Sequence, residues 1–226
     1  MHSGDYMKAV IFDLDGTLLN TIADISHAAN AALALHGYPI HPIEAYCQMV
    51  GNGFPTLMRR AVPQQLLPNL CADDLDKLVG DARNYYVAHP SDHTQPYPGI
   101  SETLEVLHGA GLQLAVLSNK MDDLTNVLIR KHFPAIPFAK VLGSRPGIKL
   151  KPDPTVLLAI LEELGVSSGE SMYVGDSNVD VATAHNAQMK VIGVAWGFRG
   201  RQELEECGAD HIIEHAAEML PLVGAA

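Results

Sequence analysis

The sequence predicts an α/β protein: a Rossmann-like, doubly wound parallel sheet carrying an inserted all-helical domain. Short, almost unbroken apolar runs recur, each followed by a polar turn and a helical pattern. Strands covered on both faces by crossover helices read this way, whereas half-exposed antiparallel strands alternate apolar and polar residues. Between residues 22 and 95 the rhythm breaks, with helical patterns and no convincing strand.

The first strand is the run KAVIF, beginning at Met7 or Lys8; the six residues before it read as a cloning remnant or a loose extension. Helices follow over Ile22 to Leu35, ended by Gly37 and Pro39, then over Pro42 to Gln48, Pro55 to Ala61 and Asp73 to His89. Leu19 to Thr21 lead out to this block and His89 to Gly99 lead back, which sets the core at 1–20 and 96–226 and the insert at 21–95. Helix Ile100 to Gly109 stops at Gly111 and precedes a second strand, Leu112 to Asn119. Helix Pro154 to Leu164 carries Val156, Leu157, Ile160, Leu161 and Leu164 at helical spacing and stops at Gly165. Strands Ser171 to Asp176 and Lys190 to Trp196 follow, with a weaker one near Ile212.

A chain of 226 residues suits one large domain or a medium domain with a smaller insert. Its 47% hydrophobic and 18% charged residues are those of a soluble globular protein. Fifteen Lys and Arg against 26 Asp and Glu give a net charge of −11, which argues against nucleic acid or an anionic membrane as partner. An anionic ligand would need positive charge concentrated locally. Cys47, Cys71 and Cys207 are odd in number, far apart and in no CxxC arrangement, so a reducing cytoplasm is expected rather than a disulfide framework or zinc knuckle. No apolar run approaches the roughly 18 to 20 residues of a membrane span, and the N-terminus lacks a secretory layout. A monomer or weak homodimer is expected.

Asp13 and Asp15 follow the first apolar run two residues apart. Asp15-Gly16 alone reads as a turn, but that leaves Asp13 unexplained. In open α/β sheets the ligand crevice lies beyond the carboxyl ends of the strands, where Asp13 falls. The other strand ends are equally polar: Ser118-Asn119-Lys120, then Gly175-Asp176-Ser177 with Asp180 four residues on, and Lys149 and Lys151 in the segment between. Carboxylates this close stay ionised only around a cation, and oxygen-only ligands favour Mg²⁺ over zinc. Lys151 then faces phosphoryl oxygens and the nucleophile as a point charge.

With DLDGT at Asp13 to Thr17, Ser118-Asn119, Lys151-Pro152 and GDSNVD at Gly175 to Asp180 in order, the sequence resembles a haloacid-dehalogenase-superfamily phosphohydrolase over nearly its whole length. The resemblance implies that Asp13 attacks phosphorus to give an aspartyl-phosphate, while Asp15 protonates the leaving oxygen and then activates water. It implies Mg²⁺ held by Asp13, the backbone carbonyl of Asp15, and Asp176, with Asp180 supporting those ligands. Thr17, Ser118, Asn119 and Lys151 would bind the transferring phosphoryl group. Because Asp15 is present, oxygen–phosphorus chemistry is expected rather than dehalogenation; the insert's Lys77 has no Schiff-base setting.

The insert matches the position of that superfamily's helical cap, which closes over the site. Within it Val50 to Val62 resembles the specificity loop of phosphoglycolate phosphatases: Gly51 and Gly53, either side of Asn52, free the backbone, Pro55 suits a first helical turn whose amides can bind a second anion such as a carboxylate, and Arg59 or Arg60 adds charge. Asn20-Thr21 stands where the family more often has Asp-Ser, which leaves a capping and hinge role but removes a charge. His89 and His93, separated by Pro90, read as solvated linker, and His185 receives no catalytic role.

The expected activity is Mg²⁺-dependent hydrolysis of a small phosphorylated metabolite, with phosphoglycolate the best single substrate. A phosphomutase or pyrophosphatase of the same superfamily is the rival. A receiver-type signalling module also places a phosphorylatable Asp at a strand end, but the length, the insert and Asp15 stand against it.

Overall fold

The computed structural model describes residues 7–225; the expectation about the six residues before Met7 lies outside them. Strand β1 (Ala9–Phe12) is followed by β2 (Leu19–Asn20), then helices α1 (Ile22–Leu35), α2 (Ile43–Tyr46), α3 (Phe54–Ala61) and α4 (Ala72–Ala88). After β3 (Gln95–Pro96) come α5 (Ile100–Gly109), β4 (Gln113–Met121), α6 (Asp122–His132), β5 (Lys140–Ser144) and α7 (Thr155–Leu164). The chain ends with β6 (Ser171–Gly175), α8 (Asn178–Asn186), β7 (Lys190–Val194), α9 (Gly200–Glu206), β8 (His211–Ile213) and α10 (Met219–Leu222).

Six strands form one sheet in the order β5-β4-β1-β6-β7-β8, every pairing parallel. All residues of β1 and β6 are buried, as their unbroken apolar runs require. Phe12, Val116 and Val174 pack on one face with α5, and Ile11, Tyr173 and Val191 on the other with α7 and α8. The chain order reverses at β1, which lies between β4 and β6, and an α/β sheet opens its crevice at such a point.

The block between β2 and β3 contains only helices among the described residues and has its own apolar cluster. Ile25, Ala28, Ala29, Ala32 and Leu33 make one stripe of α1, and its small residues let α4 approach with Leu78, Ala82 and Tyr86. The block leaves and rejoins the core through an antiparallel pair, Leu19 against Pro96 and Asn20 against Gln95. Asp24 ties the two passages together: its Oδ2 accepts from Thr94 N (2.8 Å) and Thr94 Oγ1 (2.6 Å), and His93 N lies 3.1 Å from each of its oxygens.

The structure adds β2, β3, β5, α6, α9 and α10 to the predicted elements. β5 is an edge strand; four of its five residues are only half-buried, so it has no unbroken apolar run to find. The helix expected over Pro42 to Gln48 shrinks to Ile43–Tyr46, because Pro42 is extended (ψ 155°) and serves as N-cap. No described helix is long and apolar enough to cross a membrane, and Cys47, Cys71 and Cys207 are all free thiols.

Candidate active site

β1 ends at Phe12, but Asp13 N still donates to Val174 O (2.9 Å), so Asp13 stands at the strand's carboxyl end. The chain then folds back tightly: Leu18 N and Leu19 N both reach Leu14 O at 3.0 Å, and Gly16 adopts φ +85°. The turn and the acidic pair coexist, since the turn keeps Asp15 from lying beside Asp13 on a continued strand. Gly16 is needed twice over. Its φ is left-handed, and a Cβ there would collide with the Asp176 carboxylate. A side chain at Gly197 would strike Asp176 as well, and one at Gly175 would strike Asp180. Loss of these side chains lets three segments close on one another.

Carboxylate oxygens of Asp13, Asp176 and Asp180, all buried, lie within 4.8 Å of one another. Lys151 Nζ stands 2.9 Å from Asp13 Oδ1 and 2.7 Å from Asp180 Oδ1, and donates to Tyr173 OH at 3.1 Å. Fully ionised, three carboxylates around one ammonium would leave two negative charges uncompensated. Burial, reinforced by Asp180, pushes the Asp13 carboxyl up to about 6 despite Lys151. Burial likewise lifts Asp176 well above the usual carboxylate range, with Asp180 and Asp13 adding repulsion. For Lys151 burial works downward, but Asp13 and Asp180 outweigh it and hold the ammonium well above its ordinary value. A divalent cation would relieve this excess. Asp13 Oδ1 makes only the ion-pair contact with Lys151, and the buried Thr17 Oγ1 has no hydrogen-bond partner. Asp176 Oδ2 accepts from Phe198 N (2.7 Å). Asp180 is saturated: Ser177 Oγ donates to its Oδ2 at 2.6 Å across the first turn of α8, and Lys151 occupies Oδ1. Asp13 and Asp176 therefore have free oxygens for a metal, and Asp180 holds Lys151 and Ser177.

Ser118, Asn119 and Lys120 sit where β4 slips register against β5, between Leu117 and Met121. Such a bulge re-aims side chains at a strand end. The Asn119 side chain is fully engaged. Its Nδ2 donates to Lys151 O (3.0 Å) and to Gly51 O of the insert (2.9 Å), and its Oδ1 accepts from Lys151 N (2.8 Å). One cleft is lined by Asp13, Asp15, Ser118, Asn119, Lys151 and Asp176 on the core side and by Gly51, Gly53 and Phe54 on the insert side. Thr17 is fully buried behind it. Arg59 is exposed and does not line the cleft. Arg60 donates to Met49 O (2.8 Å) and Asn52 Oδ1 (2.9 Å), so Asn52 braces the loop.

Sequence reasoning assigned no site role to Lys120, Tyr86, Tyr173 or Arg199. Lys120 Nζ donates to Asp15 Oδ1 (2.9 Å) and Tyr86 OH (2.6 Å). Arg199 lines the cleft and donates to Val50 O (3.0 Å) across it. Lys120 lies in the last residues of β4 and Arg199 in the segment after β7, both at carboxyl ends of strands, which was the available signal. The tyrosines gave none, since an apolar stripe explains them equally well.

Residues 10–194 match the family described as haloacid dehalogenase-like hydrolase. The chain belongs to that family, and within it to the phosphatases. It is 31% identical over 221 residues to a phosphoglycolate phosphatase of Vibrio parahaemolyticus, with 96% of each chain covered. It is also 31% identical over 217 residues to one of Thiobacillus denitrificans, again with 96% of each covered. A crystal structure of a predicted phosphoglycolate phosphatase from Haemophilus somnus superposes with a TM-score of 0.88 at 27% identity, covering 96% of this chain and 97% of that one.

Proposed function

We propose that the protein is a Mg²⁺-dependent phosphomonoesterase that hydrolyses a small phosphorylated carboxylic acid, phosphoglycolate first among them, through an aspartyl-phosphate on Asp13. The observation that carries this reading is the convergence of three buried carboxylates on a single ammonium at the end of β1. Asp13, Asp176 and the backbone carbonyl of Asp15 would hold Mg²⁺, which when bound supplies charge neutralisation for the phosphoryl oxygens.

Asp13 attacks phosphorus; the ester bond breaks and Asp15 gives its proton to the leaving oxygen. Water then attacks the aspartyl-phosphate, Asp15 takes its proton back, and phosphate and free Asp13 are restored. General acid help of this kind is worth about 10² to 10⁴ in rate. Lys151 pairs with the charge on Asp13 and on the transferring group, and Ser118 offers its hydroxyl. Asn119 sets Lys151 and latches the helical block, 21–95, which acts as a cap over the reaction. The substrate carboxylate meets Arg199 and the backbone of Gly51 and Gly53 at the start of α3. Its setting is the reducing cytoplasm, which suits three free thiols.

Phosphate release from a panel of phosphorylated metabolites, with Mg²⁺ and with chelator, tests the reading. Turnover is expected with Mg²⁺ alone, phosphoglycolate ranking high, and is expected to vanish in Asp13→Asn. Release that survives that substitution, or that needs a bisphosphate activator, refutes it.

A further inference from the structure

Lys120 belongs to none of the four motifs, yet it is the most fully enclosed charge beside Asp15, with its side chain 1% exposed. Its ammonium donates to Asp15 Oδ1 at 2.9 Å and reaches Oδ2 at 3.2 Å. On its other side it donates to Tyr86 OH at 2.6 Å and lies 4.4 Å from the centre of the Tyr86 ring. Thr21 Oγ1 donates to the same Asp15 Oδ1 at 2.7 Å. One oxygen of Asp15 is thus pinned by two donors, while the other has a single longer contact. Tyr86 ends the apolar stripe of α4, so its hydroxyl reaches Lys120 only while that helix lies against the core. Burial and the neighbouring Asp15 and Asp24 hold the Tyr86 phenol well above its ordinary pKa, so it serves Lys120 as a neutral acceptor.

We propose that Lys120, backed by Tyr86, is a positioning residue for Asp15, fixing the carboxyl group that protonates the departing oxygen and making that placement depend on α4 of the insert. The proposal rests on the phosphatase reading above. Lys120 transfers nothing: the proton passes from Asp15 to the leaving oxygen and returns to Asp15 from water.

The test compares an alkyl phosphate, whose alkoxide needs a proton to leave, with p-nitrophenyl phosphate, whose phenolate does not. Leaving-group release in the first turnover is measured in Mg²⁺ for wild type, Lys120→Met, Lys120→Arg and Tyr86→Phe. Lys120→Met is expected to slow the alkyl ester by about 10²-fold or more and the aryl ester by less than about tenfold, with KM for both nearly unchanged. Lys120→Arg is expected to recover part of the alkyl rate. Tyr86→Phe keeps the ring and is expected to give the same selectivity at a few-fold magnitude, so it carries the test if Lys120→Met does not fold. Equal loss on both esters, or no loss on either, overturns the proposal. Wild-type protein that cleaves neither ester overturns the phosphatase reading and the proposal with it.

Discussion

Metal-free protein is expected to lose stability as pH rises, and the loss is traceable to Asp13. Its carboxyl sits at about 6 in the fold against 3.8 without it, chiefly because of burial. Between those values the native state keeps a proton that the unfolded chain has released. The contribution is therefore fully present below about pH 4 and lost as pH climbs through about 6. At about 1.4 kcal/mol for each pKa unit, Asp13 accounts for about 3 kcal/mol, or roughly 6 to 12 °C in melting temperature for a chain of this size. Asp176 acts in the same direction. Differential scanning calorimetry in EDTA from pH 4 to 8, on wild type and Asp13→Asn, isolates the term. The variant is expected to gain on wild type by about 3 kcal/mol across that range, and millimolar Mg²⁺ is expected to stabilise wild type more at pH 8 than at pH 5. Parallel curves for the two proteins, or a wild type that gains on the variant toward alkaline pH, would refute the electrostatic account of the site.

Gly16→Ala is expected to push Asp176 out of place and cost about 10²-fold in phosphate release, measured at saturating Mg²⁺. Arg199→Ala is expected to raise KM for a phosphorylated carboxylic acid by about 10- to 100-fold, the worth of a charged hydrogen bond, with a much smaller change on p-nitrophenyl phosphate. Asp24→Ala strands the buried donors of Thr94 and is expected to lower urea-unfolding stability by about 2 to 4 kcal/mol, measured by circular dichroism.

The central strands were legible because burial on both faces writes them as unbroken apolar runs, and the helix Ile22–Leu35 because its stripe and its Gly37 stop agree. β5 was illegible because an edge strand needs little apolar surface. Among candidate site residues, Asp13, Asp15, Ser118, Lys151 and Asp176 were singled out because strand ends are where ligands gather, and they line one cleft. Asn119 and Arg59 mark the limit of that reasoning. Residue type told that an amide and a guanidinium were on hand, but the amide is consumed by Lys151 and Gly51, and the guanidinium faces solvent. Which way a side chain points depends on its partners, and Lys120 needed a tyrosine 34 positions away to become visible.

The paired exit of Leu19–Asn20 and Gln95–Pro96 has an architectural consequence. Because the two crossings are hydrogen-bonded neighbours, the core presents the same narrow gap whatever is strung across it, and the entropy of closing that loop grows only slowly with its length. One helical block can be exchanged for another, or for a tight turn, without shifting the register of β1. An exchanged block must still present a partner to Lys120 and Asn119, the two core residues that Tyr86 and Gly51 meet across the gap.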